Sequence, residues 1–251
     1  MNAQTCRRVN VTGVDIDPLS IDQVVETVIC WLGDDAPRVA VGVNANVCNL
    51  AADHPDFARI LSAADLCYAD GQSIVWAARL LGRRIPERVA TTDLITPLSK
   101  QAELLGKRIF LLGSAPGVAS AASAELQRSF PNLQIAHHHG YFSSAATDSV
   151  LEEINRFDTD ILFVGMGDPR QQEWVARHRH EISARAVLTC GGLFDWVSGN
   201  NPRAPRWMIR LGLEWLWRLI IEPRRLMGRY VRGNPKFLTR LFRQLLLRGG
   251  G

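Results

Sequence analysis

The segment Ile161-Leu-Phe-Val-Gly-Met-Gly-Asp-Pro-Arg-Gln-Gln-Glu-Trp174 decides the fold class. Its four apolar residues run into two glycines, and a helical stretch, residues 171–180, follows directly. A strand that is apolar at every position is typical of a parallel sheet covered on both faces. Glycines at its carboxyl end allow the backbone to approach a ligand, and the N-terminus of the next helix favours phosphate. The segment therefore predicts a strand-turn-helix unit of an α/β fold.

Three other segments repeat this strand pattern. Residues 39–43, 108–112 and 186–189 are largely apolar, and the last two run into Gly113 and Gly191. A helix candidate, residues 115–129, follows the second segment. The alternation of strands and helices predicts a Rossmann-like α/β fold in which a largely parallel sheet is flanked by helices. We expect residues 1–199 to form this core domain.

Several motifs of other enzyme classes do not occur in the sequence. The turn after residue 112 has neither the G-x-G-x-x-G fingerprint nor a Gly-Lys-Ser/Thr sequence. A nucleotide-dependent oxidoreductase and a P-loop NTPase are therefore disfavoured. No G-x-S-x-G nucleophile elbow occurs either. We predict a protein that works without a bound cofactor.

Two groups of residues have side chains that can bind metals. Residues 137–139 are three adjacent histidines, which cannot all point at one ion from a strand, and structural or solvated roles are predicted for them. The Asp15-Ile-Asp17 pair has the spacing that many sugar transferases use for metal binding. Since a proline follows it, a turn and a helix beginning at Ser20 is the better interpretation. No metal site is predicted.

The cysteines and apolar segments indicate the cellular setting. Five cysteines are scattered through the chain without a C-x-x-C pair, which predicts reduced core residues and a cytosolic setting. The N-terminus has no signal-peptide pattern, and no uncharged apolar run reaches about 18 residues. We expect a chain that is neither secreted nor membrane-spanning.

The positive charge is concentrated at the C-terminus. Residues 200–251 hold eleven arginines and one lysine against two glutamates, a formal charge of +10 in a chain whose net charge is +4. Apolar residues recur beside these arginines, as on basic amphipathic helices. They include Trp207, Leu211, Trp215, Leu219 and Leu226. We call residues 200–251 the C-terminal appendage.

Three interpretations of the appendage remain open. A basic helix with Trp and Leu on one side is suited to a membrane surface, where each arginine near anionic lipid contributes about 1 kcal/mol. The same residues could pack on the core with their arginines solvated, or bind the phosphates of a nucleic acid. We favour membrane association and predict no nucleic-acid partner.

Polar residues follow two apolar stretches. Asn44 and Asn46 come after residues 39–43, and Asp70 precedes a glycine and an apolar helix. Asp70 could cap the helix that begins near Ser73. A carboxylate in a cleft at a strand end could instead accept the proton of an attacking hydroxyl. The residues alone leave both roles open.

An ordered series of motifs over residues 11–230 resembles the WecG/TagA/CpsF family of bacterial glycosyltransferases. The motifs are Val43-Asn-Ala-Asn46, Ala69-Asp-Gly71, Arg88-Val-Ala-Thr-Thr-Asp93, Phe110-Leu-Leu-Gly113, Gly140-Tyr-Phe142, Gly165-Met-Gly-Asp-Pro-Arg-Gln-Gln-Glu-Trp174, Gly191-Gly-Leu-Phe-Asp195, Arg203-Ala-Pro205, Gly212-Leu-Glu-Trp215, Arg218, Glu222-Pro-Arg-Arg225 and Arg229-Tyr230. Three positions depart from the family pattern. Thr91 stands where members have glycine, and Arg170 and Gln172 stand where members usually have the lysine and the glutamate on either side of Gln171.

The resemblance implies a metal-independent, inverting transfer of a hexose-type sugar. The donor would be a UDP-sugar, and the acceptor a sugar on polyprenyl diphosphate, in the synthesis of exopolysaccharide or another cell-envelope polymer. Asp70 would be the catalytic base, with Asn44, Asn46 and Gln171 orienting the sugars. The enzyme would lie peripherally on the cytoplasmic face of the inner membrane, and a homodimer formed through the core is a further expectation.

The resemblance also implies a set of substrate-binding residues. Asp195 would bind ribose or uracil, glycine turns would approach the nucleotide, and tail arginines would hold the diphosphate. The set is Thr92, Asp93, Gly113, Gly140, Tyr141, Gly165, Gln171, Gly191, Asp195, Arg218, Arg225 and Arg229. The alternative is a basic-tailed nucleic-acid- or lipid-binding module without catalysis.

Overall fold

The computed structural model describes residues 7–210 and 212–248, with the backbone alone at residues 206, 210, 225, 229 and 248. The strands are β1 (Val9–Val11), β2 (Val14–Ile16), β3 (Arg38–Val43), β4 (Leu66–Ala69), β5 (Arg108–Gly113), β6 (Gln134–His138), β7 (Ile161–Gly165) and β8 (Ala186–Thr189). The core helices are α1 (Ile21–Trp31), α2 (Ala45–Asp53), α3 (Pro55–Ser62), α4 (Gln72–Leu80), α5 (Thr91–Leu105), α6 (Val118–Ser129), α7 (Thr147–Arg156), α8 (Arg170–His178) and α9 (Leu193–Val197). The appendage forms α10 (Arg206–Arg210), α11 (Glu214–Ile221) and α12 (Pro223–Arg248).

Six parallel strands form the central sheet in the order β4-β3-β8-β7-β5-β6. The four predicted strands are β3, β5, β7 and β8, and the predicted helices at 115–129 and 171–180 are α6 and α8. The predicted α/β fold is confirmed. All six strands run the same way, so their carboxyl ends meet at one edge of the sheet. The hairpin β1-β2 is antiparallel and forms a separate two-stranded sheet.

The central strands are buried on both faces because helices cover each side. Phe110 and Leu112 of β5 pack in one hydrophobic cluster, whereas Ile109 and Leu111 pack in the other. The same alternation holds for Leu162 and Phe163 on β7, as the two-residue period of a strand requires. Helices packed on both faces hold the strands in place, together with the polar residues at their carboxyl ends.

The predictions for the N-terminal region and the cysteines have mixed outcomes. Ser20 caps α1 in a capping box with Gln23, so the helix begins where the sequence predicts. Cys48, Cys67 and Cys190 are buried, and burial raises the pKa of Cys48 and Cys67 to about 12. The prediction is wrong for Cys30, which is exposed on the outer side of α1. Cys6 lies outside the described residues.

The appendage packs on the core through α12. Phe237 and Leu241 are buried in the hydrophobic cluster that includes α2. Arg240 donates to Asn49 and to Asp53 of α2, over 2.6 and 2.5 Å. One face of α12 therefore packs on the core, as one of the three interpretations of the appendage predicts. Within the described residues, no helix combines the length and the apolar character that crossing a bilayer requires.

Candidate active site

The polar residues predicted from the sequence lie at the carboxyl edge of the sheet. Asn44 follows β3, Asp70 follows β4, and Ser114 follows β5. Gly167 follows β7, and Gly191 follows β8. These are neighbouring strands, so five loops border one region, which is where open α/β sheets bind ligands.

Asp70 is held by the first residue of α5. Its Oδ1 accepts a hydrogen bond from the Thr91 backbone N–H at 2.9 Å, and the Thr91 hydroxyl lies 3.3 Å away. The Thr91 hydroxyl is in turn 2.8 Å from the buried Tyr68 hydroxyl. The N–H group that donates to Asp70 lies at the positive end of the α5 dipole. Among the described residues, no hydrogen bond is made to the other carboxylate oxygen, Oδ2.

The hypothesis that Asp70 caps the helix beginning near Ser73 is wrong. The N-cap of α4 is Gly71, and no side chain caps this helix. Asp70 instead bonds across the sheet edge to α5, whose own N-cap, Ala90, offers no side-chain bond. The carboxylate therefore joins two segments that are distant in sequence.

The two asparagines after β3 have different surroundings. Asn44 is the N-cap of α2, and its side-chain oxygen accepts from the backbone N–H groups of Asn46 and Val47. The Asn46 side chain donates toward Asp168 Oδ2 at 3.4 Å. Asn46 thus links the end of β3 to the loop after β7. Their predicted roles in orienting sugars remain predictions.

The Gln171 side chain forms hydrogen bonds to the loops that follow β7 and β8. Its Oε1 accepts from the backbone N–H of Gly191 at 2.9 Å and of Gly167 at 3.2 Å, and its Nε2 donates to Asp168 at 2.9 Å. Gln172 also donates to Asp168, over 2.8 Å. Only 3% of Gln171 is exposed. The side chain therefore holds the site loops in place, and its predicted contact with sugar remains a prediction.

Close backbone packing explains the glycines at the strand ends. Gly113 has φ +149°, and a Cβ there would lie 2.3 Å from the Gly165 carbonyl oxygen. A Cβ at Gly140 would lie 2.9 Å from Gly113, and one at Gly165 would lie 2.8 Å from the Gly191 carbonyl oxygen. The N–H groups of Gly140 and Gly191 donate to Ser114 and Gln171. These glycines shape the edge by allowing its loops to touch.

The predicted nucleotide-binding residues lie after β5, β6 and β8. Asp195 of α9 accepts a hydrogen bond from the Ser114 hydroxyl at 3.4 Å. Tyr141 is 72% exposed beside this pair of loops. The Thr92 hydroxyl oxygen, on α5, is buried without a partner among the residues that the structure describes. The predicted roles of Asp195, Tyr141 and Thr92 in substrate binding remain predictions.

Asp93 belongs to a cluster of charges between the core and the appendage. Arg88 donates to Glu214 of α11 at 2.6 Å and lies 3.5 Å from Asp93. Arg203 forms a second ion pair with Asp93. Two arginines therefore face two carboxylates at the start of α5. The contacts with Arg88 and Arg203 give Asp93 a structural role. Its role in substrate binding remains a prediction.

Arg218 is the predicted tail arginine whose side chain is described. Its guanidinium lies over the ring of Trp196, 5.2 Å from the ring centroid. Trp196 follows Asp195 on α9, so α11 brings this cation to the carboxyl edge of the sheet. The side chains of Arg225 and Arg229 lie outside the described part of the structure, although both positions belong to α12.

The adjacent histidines lie at the end of β6. The ring of His138 packs 4.5 Å from that of His139, and its Nδ1 bonds to the His139 carbonyl oxygen at 2.7 Å. His138 also meets the edge of Phe142. Within residues 7–210 and 212–248, no three His, Cys, Asp or Glu side chains form a group suited to a metal ion.

Four residues of this region were not among the predicted site residues. Asp168, Arg88, Glu214 and Thr91 all lie within the family-like motifs, so their signal was present in the sequence. Glu214 had a second signal, since it is one of two acids among the twelve basic residues of the appendage. The spacing of residues in the sequence does not predict these contacts, because each of the four residues contacts a segment that is distant in the sequence.

The fold is that of an open, parallel α/β sheet, a class of protein in which ligands bind where the parallel strands end. The chain belongs to the glycosyl transferase WecG/TagA/CpsF family, whose model matches residues 9–250. It is therefore a glycosyltransferase. Among its relatives are the N-acetylglucosaminyldiphosphoundecaprenol N-acetyl-beta-D-mannosaminyltransferases of Staphylococcus aureus strains MRSA252 and NCTC 8325 / PS 47. Each is 30% identical over 236 residues, which cover 93% of this chain and 92% of the relative.

Proposed function

We propose that this glycosyltransferase moves a hexose-type sugar from a UDP-sugar to a sugar on polyprenyl diphosphate, with inversion and without a metal. The observation that carries the proposal is the position of Asp70. This carboxylate lies at the carboxyl edge of the sheet, and one of its oxygens is fixed by Thr91. The names of the relatives support the lipid-linked acceptor, since they specify an N-acetylglucosaminyl diphosphoundecaprenol.

The chemistry requires a base and a fixed geometry. Asp70 takes the proton of the acceptor hydroxyl while that oxygen forms a bond to the anomeric carbon of the donor. The bond from this carbon to the UDP oxygen breaks on the opposite face, so the configuration inverts. Proton transfer by a positioned base contributes a factor of about 10²–10⁴. Asn46, bonded to Asp168, and Gln171 keep the loops around the reacting sugars in place.

The departing diphosphate carries negative charge that needs a counter-charge. Arginine is suited to this role because its planar fork binds diphosphate oxygens through charge-assisted hydrogen bonds. Arg218 is held at the edge by Trp196, and α12 carries Arg225 and Arg229. We propose that these arginines bind the departing diphosphate. The nucleoside would bind near Ser114, Tyr141 and Asp195.

A membrane surface is the proposed partner of α12. Met227, Val231, Leu238 and Phe242 are exposed, and their spacings of four, seven and four residues place them on one helix face. Arg232 and Arg243 are exposed on the adjoining face. An apolar face beside a basic one is suited to the headgroup boundary of anionic lipid. We therefore place the enzyme peripherally on the cytoplasmic face of the inner membrane, where lipid-linked acceptors would reach it.

The test incubates the purified full-length protein with short-chain polyprenyl-diphosphate N-acetylglucosamine and a panel of UDP-sugars, with EDTA present. The panel holds UDP-N-acetylmannosamine, its uronic acid form and UDP-glucose. We expect one donor to give a disaccharide with the wild type and at least about 100-fold less with Asp70→Asn. Asn keeps an oxygen that accepts from Thr91, so the variant should retain the fold.

Each other result has a definite meaning. Equal turnover by Asp70→Asn would remove Asp70 as the base. Product that forms only after Mg²⁺ or Mn²⁺ replaces EDTA would overturn metal independence. Inactivity of the wild type with every donor would favour the alternative of a binding module without catalysis.

A further inference from the structure

We propose that Thr91 is a positioning residue for this transfer and that its hydroxyl, held by Tyr68, fixes the rotamer of Asp70. The inference rests on the proposed role of Asp70 as the base. It concerns the first residue of α5, whose backbone N–H and hydroxyl both contact the Asp70 carboxylate.

The directions of the hydrogen bonds follow from the chemistry of the three groups. An ionised carboxylate only accepts, so the Thr91 hydroxyl donates to Asp70 Oδ1. The lone pair of that hydroxyl then accepts from Tyr68, whose phenol is 2.8 Å away. Burial raises the pKa of Tyr68 well above its ordinary value, so the phenol keeps its proton and remains a donor. The chain of donors runs from Tyr68 through Thr91 to Asp70.

Tight packing restricts the side chains of Tyr68, Thr91 and Asp70. Tyr68 is completely buried, and only 6% of Thr91 is exposed. A Cβ on Gly42 of β3 would lie 3.1 Å from both the Thr91 hydroxyl oxygen and the Asp70 Cβ, and 3.2 Å from the Tyr68 ring. The three side chains thus close around one glycine. The Thr91 hydroxyl cannot turn away without leaving the buried Tyr68 hydroxyl unpaired, which is unfavourable.

The Thr91 contacts determine which carboxylate oxygen of Asp70 faces the acceptor sugar. With Oδ1 engaged by the Thr91 backbone and hydroxyl, the carboxylate presents Oδ2. Among the described residues no protein group bonds to Oδ2, so this oxygen is the one that takes the proton. Misplacement of a reacting group by about 1 Å can cost a factor of 100 in rate. Loss of the Thr91 hydroxyl should therefore lower kcat more than it changes KM.

The experiment compares kcat and KM of the full-length enzyme with Thr91→Val, Thr91→Ser, Tyr68→Phe and the Tyr68→Phe/Thr91→Val double variant. Valine keeps the shape and the backbone N–H but not the hydroxyl, whereas serine keeps the hydroxyl. We expect Thr91→Val to lower kcat about tenfold or more with KM within about twofold, and Thr91→Ser to restore it. Tyr68→Phe should lower kcat in the wild type but add nothing to Thr91→Val, since Tyr68 acts through Thr91.

Thermal unfolding of each variant separates folding from positioning. The inference is overturned if folded Thr91→Val keeps the wild-type kcat, if Thr91→Ser is as slow as Thr91→Val, or if the effects of Tyr68→Phe and Thr91→Val simply multiply. If Thr91→Val does not fold, Tyr68→Phe decides, because wild-type kcat in that variant also overturns the inference. An active Asp70→Asn would instead overturn the proposed function, so the two failures are distinguishable.

Discussion

Arg88, which precedes α5, donates to Glu214 of α11 over 2.6 Å, and the two side chains are 13% and 11% exposed. This ion pair joins the segment that carries Thr91 to the appendage. The start of α5 also reaches the appendage through Asp93 and Arg203. The position of the appendage is therefore coupled to the segment that holds Asp70.

Glu214→Ala should loosen the appendage. Removing one partner of a buried ion pair costs about 3–5 kcal/mol, and because Arg88 keeps Asp93 as a neighbour we expect a loss of about 2 kcal/mol in the free energy of unfolding. Urea unfolding and limited proteolysis after residue 200 measure the effect. The matched control is Glu152→Ala, whose pair with Arg156 is largely solvent-exposed and should contribute less than about 0.5 kcal/mol. Equal stability of the two variants would contradict the coupling.

Gln171 variants should separate its acceptor oxygen from its donor nitrogen. Gln171→Leu leaves the N–H groups of Gly167 and Gly191 unpaired, and each such group costs about 1–3 kcal/mol in the free energy of unfolding. Gln171→Glu keeps the acceptor but places a second carboxylate beside Asp168. Like charges disfavour this state, so the stability of Gln171→Glu relative to wild type should improve as the pH falls from 7 to 5. Chemical denaturation at both pH values is the measurement, and a pH-independent difference would refute the argument.

Gly113→Ala should disrupt the ends of β5 and β7. The added Cβ would lie 2.3 Å from the Gly165 carbonyl oxygen, and backbone must move to relieve it. We expect a loss above about 3 kcal/mol in the free energy of unfolding, together with loss of transfer activity. Gly33→Ala is the control, since the nearest atom would be 3.6 Å away and the change should stay within about 0.5 kcal/mol. Similar unfolding curves for both variants would show that the strand ends can move apart.

The docking of α12 on α2 should weaken in acid. Hydrogen bonds from Lys236 and Arg240 lower the pKa of Asp53 from its ordinary value of 3.8. Because the shift is downward, the stabilisation is complete above about pH 4 and disappears as the pH falls through the lowered pKa. Asp53→Asn should therefore be less stable than wild type at pH 7, by less than about 1 kcal/mol, and the difference should vanish once the pH is below the lowered pKa of Asp53. Thermal unfolding across this range checks the sign, and a difference that grows in acid would contradict it.

The apolar face of α12 should determine membrane binding. Leu238→Ser/Phe242→Ser removes two exposed side chains without changing the charge, and we expect binding to anionic liposomes to fall at least about tenfold. The thermal midpoint should stay close to that of the wild type because neither side chain is buried. Thr239→Ser, on the same helix, is the matched control. Unchanged sedimentation with liposomes would direct attention to another surface of the appendage.

Local sequence determined the sheet where its signal was continuous. β3, β5, β7 and β8 are apolar runs that end at or near polar or glycine residues, so both the strands and the loops at their carboxyl ends were predictable. β4 and β6 were not among the predicted core strands. β4 has only four residues, and β6 is an edge strand with exposed and partly exposed residues in place of a continuous apolar run. The family-like motifs identified Asp70, Gln171 and Asp195 without showing what they contact.

Tertiary structure alone decided the partners. Asp70 meets Thr91, 21 residues away, Asn46 meets Asp168, 122 residues away, and Arg88 meets Glu214, 126 residues away. It also divided α12 into a face docked on α2 and an exposed apolar face, where the sequence showed one amphipathic pattern. Periodicity reports which side of an element is apolar, whereas these contacts depend on the order of strands and the packing of helices across them. That order is set by long-range packing of the whole core, which no short segment encodes.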